Sequence, residues 1–304
     1  MNSTQDVGER AREAMLAGSP VSERRLPLAG VPTAVLEGGD GPPMVLLHGP
    51  GEFAAAWLPV LPDLVRTHRV IAPDLPGHGA SGMPDGPLDA DRVLGWLNEL
   101  IEHTCPAPPV LLGRVVGGAV GARFAAGHPG RLDRLVLVDT LGLTPFEPAP
   151  RFGLALHRFL ADPTAGTYDR FMEFCTFDLD RVRTQLGRRW EPYATYAVER
   201  AGTSSAQAAM GALIGQFGAA PIPPADLARI DVPVTLIWGR HDLATPLPTA
   251  ETAAARHGWP LHVIESAGDD PPLDQPEAFL DALRTALGTP IGPRIPSEKQ
   301  VAAP

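Results

Sequence analysis

The sequence contains little cysteine, little lysine and no excess of positive charge. Its 304 residues include two cysteines, Cys105 and Cys175, which have neither the spacing of metal ligands nor the number that a disulfide framework needs. Lysine occurs once, so arginine supplies 24 of the 25 basic residues, and the formal net charge at pH 7 is −10. Nucleic acids and anionic membranes bind clustered positive charge, so neither is expected as a partner. Abundant arginine, alanine, glycine and proline are typical of a GC-rich bacterial genome.

Long apolar runs are missing as well. No segment approaches the roughly 18 apolar residues that cross a bilayer, and residues 1–12 are polar, without the apolar region of a signal peptide. A cytoplasmic location is therefore expected. Hydrophobic residues nevertheless make up 44% of the chain and charged residues 20%, which predicts a globular protein with a substantial buried core.

Strand-like and helix-like segments alternate in two parts of the chain. Residues 25–140 and 227–288 are predicted to form one α/β core, in which helices flank a mostly parallel central sheet. Between them, residues 141–226 lack strand signals and contain aromatic and arginine-rich helical stretches, which predicts an inserted helical cap. Residues 1–24 are predicted to be an N-terminal segment. Residues 289–304, rich in proline and polar side chains, are predicted to be a disordered tail.

Four motifs resemble those of the α/β-hydrolase superfamily, in the same order and over about residues 25–288. The resemblance implies the α/β-hydrolase fold, although a fold alone does not give a function. The motifs are the oxyanion loop His48-Gly49-Pro50-Gly51, the turn from Asp74 to Ser81, the turn Trp238-Gly239-Arg240-His241-Asp242 that presents the acid of the catalytic triad, and the segment from Gly268 to Phe279 around the triad histidine.

Three positions depart from the pattern of that superfamily. The nucleophile is expected at Val115, inside a glycine-rich strand-to-helix turn, but valine has no atom that can attack a carbonyl. The histidine position holds Asp269, and a carboxylate cannot relay a proton as neutral imidazole does. Pro50 stands where relatives donate a backbone N–H to the oxyanion, and loss of such a donor typically costs about 3 kcal/mol of transition-state stabilisation. The resemblance therefore predicts a divergent member without the serine and histidine of the triad.

Asp269, Asp242 and Arg114 are the candidate catalytic residues. In this fold the acid and histidine positions face each other, so one of the two aspartates is predicted to have a raised pKa, because neighbouring carboxylates cannot both ionise cheaply. Each residue also has a structural interpretation. Asp242 can be a turn residue, Asp269 can point into solvent together with Asp270, and Arg114 can be a structural partner of a nearby acid. The candidate binding residues are Val115, Val116 (whose N–H is the remaining oxyanion donor), His48, Gly49, Pro50 and Glu52, and Tyr168, Tyr193 and Tyr196 of the cap can face the same pocket.

Three functions remain open at this point. The leading hypothesis is a non-hydrolytic, cofactor-independent acid/base enzyme, namely a cyclase, lyase or isomerase that acts on a small organic molecule, for example in secondary metabolism. The first alternative is an inactive pseudo-hydrolase that binds a ligand. The second is a weak hydrolase in which Asp269 activates water. No cofactor and no metal are expected, and the sequence leaves the substrate, the oligomeric state and catalysis itself undecided.

Overall fold

The computed structural model describes the backbone of residues 3–288 and the side chains of residues 7–288. A single eight-stranded sheet forms its centre. The strands are β1 (Ser22–Leu28), β2 (Val31–Gly38), β3 (Pro43–Leu47), β4 (Arg69–Pro73), β5 (Val110–Arg114), β6 (Arg134–Val138), β7 (Val234–Gly239) and β8 (Leu261–Ile264).

The strands follow the order β1-β2-β4-β3-β5-β6-β7-β8. β2 runs antiparallel to both of its neighbours, and all other pairs are parallel. This sheet confirms the predicted mostly parallel α/β core. β3 and β5 are buried along their whole length, as expected for parallel strands that helices cover on both faces.

Helices cover both faces of the sheet and form an insertion between β6 and β7. They are α1 (Ser3–Leu16), α2 (Leu61–Leu64), α3 (Ala90–Thr104), α4 (Val116–Gly127), α5 (Pro150–Ala161), α6 (Ala165–Cys175), α7 (Leu179–Leu186), α8 (Trp190–Ala201), α9 (Ser204–Leu213), α10 (Pro224–Leu227), α11 (Pro248–His257), α12 (Pro271–Asp274) and α13 (Pro276–Leu287).

The insertion consists of α5 to α10, and within the described part of the chain no strand lies between β6 and β7. The predicted helical cap is therefore confirmed, whereas its proposed limits at residues 141 and 226, and those of the core, stay predictions. The predicted tail at residues 289–304 lies outside the described residues. α1 packs against α8 of the cap, so the N-terminal segment reaches the inserted helices.

Proline and glycine interrupt two helical segments of the chain. The segment between residues 53 and 67 forms a 3₁₀ turn and the short α2, because Pro59 and Pro62 cannot continue a long helix. The segment between residues 179 and 190 is divided at Gly187, which has a φ of 53°. β1 was not predicted, since its first four residues are polar and exposed at the edge of the sheet.

A sharp turn joins β5 to α4. Val115 lies at its centre with φ 46° and ψ −109°, a conformation that a β-branched residue rarely adopts. The neighbouring glycines leave no room for side chains. A Cβ on Gly117 would lie 2.6 Å from the carbonyl oxygen of His48, and one on Gly118 would lie 1.9 Å from Oγ1 of Thr140. The glycine pattern of this turn is thus required by close packing.

We predict opposite effects for two Gly→Ala substitutions in α4. Gly118→Ala forces Thr140 to move and lowers the free energy of unfolding by about 1–3 kcal/mol, the usual cost of overpacking. Gly127→Ala, where a Cβ would meet no atom within 4 Å, raises it by up to about 1 kcal/mol because the unfolded chain loses freedom. Urea unfolding at pH 7 measures both. Equal stability of the two variants would show that the turn is not close-packed.

Candidate active site

A cavity lies between the carboxyl ends of the central strands and the cap helices. It encloses about 1220 Å³ of space that no atom fills, part of which opens to solvent. The core side is lined by residues that follow β3, β5, β7 and β8, including Pro50, Val115, Ala244 and Asp269. The cap contributes mainly apolar and aromatic side chains, among them Phe152, Leu156, Phe159, Tyr168, Phe171 and Met172.

Arg114 is the central charged residue beside this cavity. Its side chain is 1% exposed, although it ends a buried strand. The guanidinium donates to both carboxylate oxygens of Glu52 at 3.0 and 3.1 Å and pairs with Oδ2 of Asp270 at 3.0 Å. It also donates to the backbone carbonyl oxygen of Asp269 at 3.2 Å. The structural interpretation of Arg114, as the partner of nearby acids, therefore describes its contacts.

Asp269 lines the cavity and is buried, so the prediction that it points into solvent with Asp270 is wrong. The reason is that the backbone around it is fixed. The N–H of Asp269 donates to the carbonyl oxygen of Cys175 at 2.9 Å, and Asp270 caps α12 as well as pairing with Arg114. The carboxylate of Asp269 accepts no hydrogen bond from the described residues. Burial and repulsion from Asp242 raise its pKa well above the ordinary value.

Asp242 fits both interpretations given above, as a turn residue and as an acid that interacts with Asp269. It is a turn residue, because Oδ1 accepts from the N–H groups of Ala244 and Thr245 at 2.7 and 2.9 Å, and Oδ2 accepts from the hydroxyl of Thr245. It also acts on Asp269 through repulsion. Burial raises the pKa of Asp242 to about 6, even though these hydrogen bonds favour its ionised form.

Sequence reasoning missed Asp139, which belongs to the same group of acids. It follows β6 directly and has a φ of 44°. Its Oδ1 accepts from the N–H of Gly239 at 2.8 Å, and burial and repulsion from Asp242 raise its pKa well above the ordinary value. The available signal was an acid placed immediately after the apolar run 135–138, at the sheet edge where the other candidates lie.

The other predicted residues divide into two sets. Pro50, Glu52 and Val115 line the cavity, and Val116 begins α4, so its N–H is one of those that a helix leaves unpaired. His48 and Gly49 lie behind the cavity wall.

Both residues behind the wall have their polar groups occupied. Nδ1 of His48 donates to the carbonyl oxygen of Gly49 at 2.7 Å, and Nε2 accepts from the N–H of Leu75 at 2.9 Å. Burial lowers the pKa of His48 to about 4, so the ring is neutral and holds two loops together. The N–H of Gly49 donates to Glu52 at 2.8 Å and is thus unavailable to a substrate.

Two further properties of residues 3–288 concern membranes and metal ions. None of their helices is long and apolar enough to cross a membrane. Nor do their histidine, cysteine and acidic side chains form a group of three that could hold a metal ion.

A family model described as the alpha/beta hydrolase family matches residues 44–282. The chain belongs to this family. It is 30% identical over 269 residues, which are 82% of this chain and 88% of the relative, to the 2-hydroxymuconate semialdehyde hydrolase of Pseudomonas sp. strain CF600. It is 27% identical over 263 residues, which are 82% of this chain and 97% of the relative, to the pimeloyl-(acyl-carrier protein) methyl ester esterase of Aeromonas hydrophila.

One solved structure is similar to this chain over most of its length. The 2-hydroxy-6-oxo-6-phenylhexa-2,4-dienoate hydrolase of Rhodococcus sp. strain RHA1 superposes with a TM-score of 0.76 and 26% identity, covering 88% of this chain and 99% of that one.

These similarities overturn the leading functional hypothesis. The relatives are named as hydrolases and an esterase, so the prediction of a non-hydrolytic cyclase, lyase or isomerase is wrong. They also count against the inactive pseudo-hydrolase. The residues at the nucleophile and histidine positions do not by themselves exclude hydrolysis, because a buried carboxylate and water can also perform it.

We predict that Asp269→Asn changes how stability depends on pH. Because the pKa of Asp269 is raised on folding, the stability it contributes is present at acidic pH and is lost as pH rises through the folded-state pKa. The amide does not ionise, so the variant should gain stability relative to the parent protein as pH rises from 5 to 8.

Urea unfolding at several pH values measures this difference, and the exposed Asp85→Asn is the matched control, for which we expect a constant offset. At each pH the free energy of unfolding of the parent protein is subtracted from that of the variant. This subtraction cancels the contributions of titrating groups that both proteins share, including His48. A pH-independent difference for Asp269→Asn would contradict a raised pKa.

Proposed function

We propose that the chain is a hydrolase in which water, activated by Asp269, attacks a carbonyl group of a small and largely apolar organic molecule. The observation that carries this proposal is the placement of the Asp269 carboxylate. It lines an apolar cavity, has no hydrogen-bond partner among the described residues and has a raised pKa. A carboxylate with these properties is a stronger base than one in water.

A covalent mechanism finds little support in the residues around the cavity. Those that line it within the described chain include no serine or threonine, and the residue on the sharp turn is Val115. Cys175 lines it too, but burial and repulsion from Asp269 raise the pKa of its thiol well above the ordinary value. Since the thiolate is the nucleophilic form, this cysteine is poorly suited to attack a carbonyl. The serine of the triad is thus replaced in this proposal, not relocated.

The proposed reaction needs water and one carboxylate. Ionised Asp269 takes a proton from water while the water oxygen bonds to the carbonyl carbon, and the carbonyl electron pair moves to oxygen. When the tetrahedral adduct collapses, the bond to the leaving group breaks and the leaving group receives the proton from Asp269. The N–H of Val116, at the start of α4, is the proposed backbone donor to the new negative charge, since Pro50 has no N–H.

The relatives indicate the kind of substrate. Two of them are named for 2-hydroxymuconate semialdehyde and 2-hydroxy-6-oxo-6-phenylhexa-2,4-dienoate, and a third for a methyl ester. The aromatic lining of this cavity fits an aryl or long aliphatic carbonyl compound of these classes. We therefore propose a small-molecule substrate with a carbonyl group at the cleaved bond.

We predict that Asp269→Asn abolishes most of the activity. The assay uses 2-hydroxy-6-oxo-6-phenylhexa-2,4-dienoate and 4-nitrophenyl butyrate, and it follows ¹⁸O transfer from labelled water into the acid product. Loss of the general base should lower kcat/KM about 100-fold or more, while the control Asp85→Asn should retain activity. A serine-directed fluorophosphonate should neither label nor inhibit the protein. Labelling of a serine, or full activity of Asp269→Asn, would refute the proposal.

We also predict a pH dependence set by two aspartates. Because the ionised form of Asp269 is the base, kcat/KM should rise with pH up to its raised pKa. Asp242→Asn removes the repulsion that helps to raise this pKa, so the rising limb should move to lower pH. The profile of Asp85→Asn should coincide with that of the parent protein. An unshifted limb in Asp242→Asn would show that Asp269 does not set the profile.

A further inference from the structure

Two tyrosines of the cap face the same cavity as Asp269. Tyr168 of α6 and Tyr193 of α8 are 5% and 4% exposed and both line it. Neither hydroxyl hydrogen-bonds another described residue. A phenol in a protein interior ordinarily has a hydrogen-bond partner. Neither oxygen is among the fully buried unpaired atoms of the described structure, so both are open to the cavity, where a bound molecule can reach them.

Packing fixes the rings of both tyrosines. Each stacks on Trp190, with ring centroids 6.2 Å from Tyr168 and 6.4 Å from Tyr193. Tyr193 also contacts Phe53 at 4.9 Å, and Tyr168 contacts Phe159 at 5.3 Å. Because these contacts hold the rings, their hydroxyls are positioned before a ligand binds, which is the condition for effective electrostatic stabilisation.

Both tyrosines line the same cavity as Glu52 and Asp270, the two acids that pair with Arg114. After burial, the largest influences on the pKa of Tyr193 are repulsion from Tyr168, Glu52 and Asp270, and for Tyr168 they are Cys175, Glu52 and Asp270. These influences raise the pKa of both phenols well above the ordinary value, so both keep their protons. Each can therefore donate a hydrogen bond next to the acids that surround Arg114.

The geometry assigns Tyr168 and Tyr193 as catalytic hydrogen-bond donors that stabilise the oxygen on which negative charge develops, in place of the N–H that Pro50 lacks. The inference rests on the proposed hydrolysis for the identity of that oxygen. The cap would then supply part of the catalytic site, in addition to the apolar walls that select the substrate. An oxygen that gains charge during the reaction binds such donors most strongly in the transition state.

The chain offers a matched control, since it contains three tyrosines. Tyr196 lies on α8 like Tyr193, but it does not line the cavity, and its hydroxyl accepts a hydrogen bond from Arg12 at 3.4 Å. Tyr196→Phe thus removes the same hydroxyl from the same helix. It should lower stability slightly and leave kcat unchanged, whereas Tyr168→Phe and Tyr193→Phe should leave stability unchanged because their hydroxyls have no partner.

The first test compares kcat and KM of the three Phe variants in the assay described above. Loss of one donor to an oxyanion commonly lowers kcat about 100-fold. We therefore expect a reduction of that order for Tyr168→Phe and for Tyr193→Phe. KM should change less than about threefold, because the donors act on the transition state. A loss that appears in KM alone, or a kcat of either variant equal to that of Tyr196→Phe, would overturn the assignment.

A second test does not depend on turnover. The probe is 2,2,2-trifluoroacetophenone, which adds water to form a tetrahedral adduct without a protein nucleophile, and acetophenone is the planar comparison. Fluorine NMR titration should show about tenfold weaker binding of the adduct by Tyr168→Phe and Tyr193→Phe. The binding of acetophenone, measured by proton NMR, should change little in both variants. Unchanged binding of the adduct by both variants would overturn the inference, whereas weakened binding without hydrolysis of any substrate would overturn only the proposed function.

Discussion

The buried guanidinium of Arg114 determines where the groups around the cavity lie. It ends β5, yet its partners come from the loops after β3 and β8, namely Glu52, Asp270 and the carbonyl oxygen of Asp269. A buried cation without partners would cost several kcal/mol, so these loops cannot move apart independently. Glu52 extends the constraint to the oxyanion loop because it also accepts from the N–H of Gly49. One side chain thus joins three segments that are distant in sequence.

This arrangement places more negative than positive charge in a region with little water. Asp139, Asp242 and Asp269 repel one another electrostatically, and a single nearby arginine cannot compensate all of them. The group therefore holds protons at a pH where isolated aspartates would be ionised. Oδ2 of buried Asp139 accepts no hydrogen bond in the described structure, which fits an oxygen that carries a proton and faces Asp242. The same repulsion makes Asp269 a better base.

The fold could be predicted from the sequence, because alternating apolar segments and four ordered motifs restrict it to few possibilities. β1 was missed because an edge strand with polar residues lacks the apolar pattern of a buried one. The inward orientation of Asp269 could not be read from the sequence, since it depends on a backbone hydrogen bond to Cys175 at the end of a cap helix. Asp139 was missed for a related reason: its closeness to Asp242 depends on how the ends of β6 and β7 are paired.

The strained turn at Val115 has a use that does not require a nucleophile. Its backbone conformation costs about 1–3 kcal/mol, and a valine there gains no reactive atom in return. The turn is held because the carbonyl oxygen of Val115 accepts hydrogen bonds from the hydroxyl of Thr140 and the N–H of Leu141, at 3.0 and 3.1 Å. The bend begins α4 next to Val115, which lines the cavity, and the N–H of Val116 at this helix start is the proposed donor to an anionic oxygen. This backbone function needs no side-chain nucleophile, so under the proposed mechanism the turn and the Asp269 carboxylate can serve one reaction.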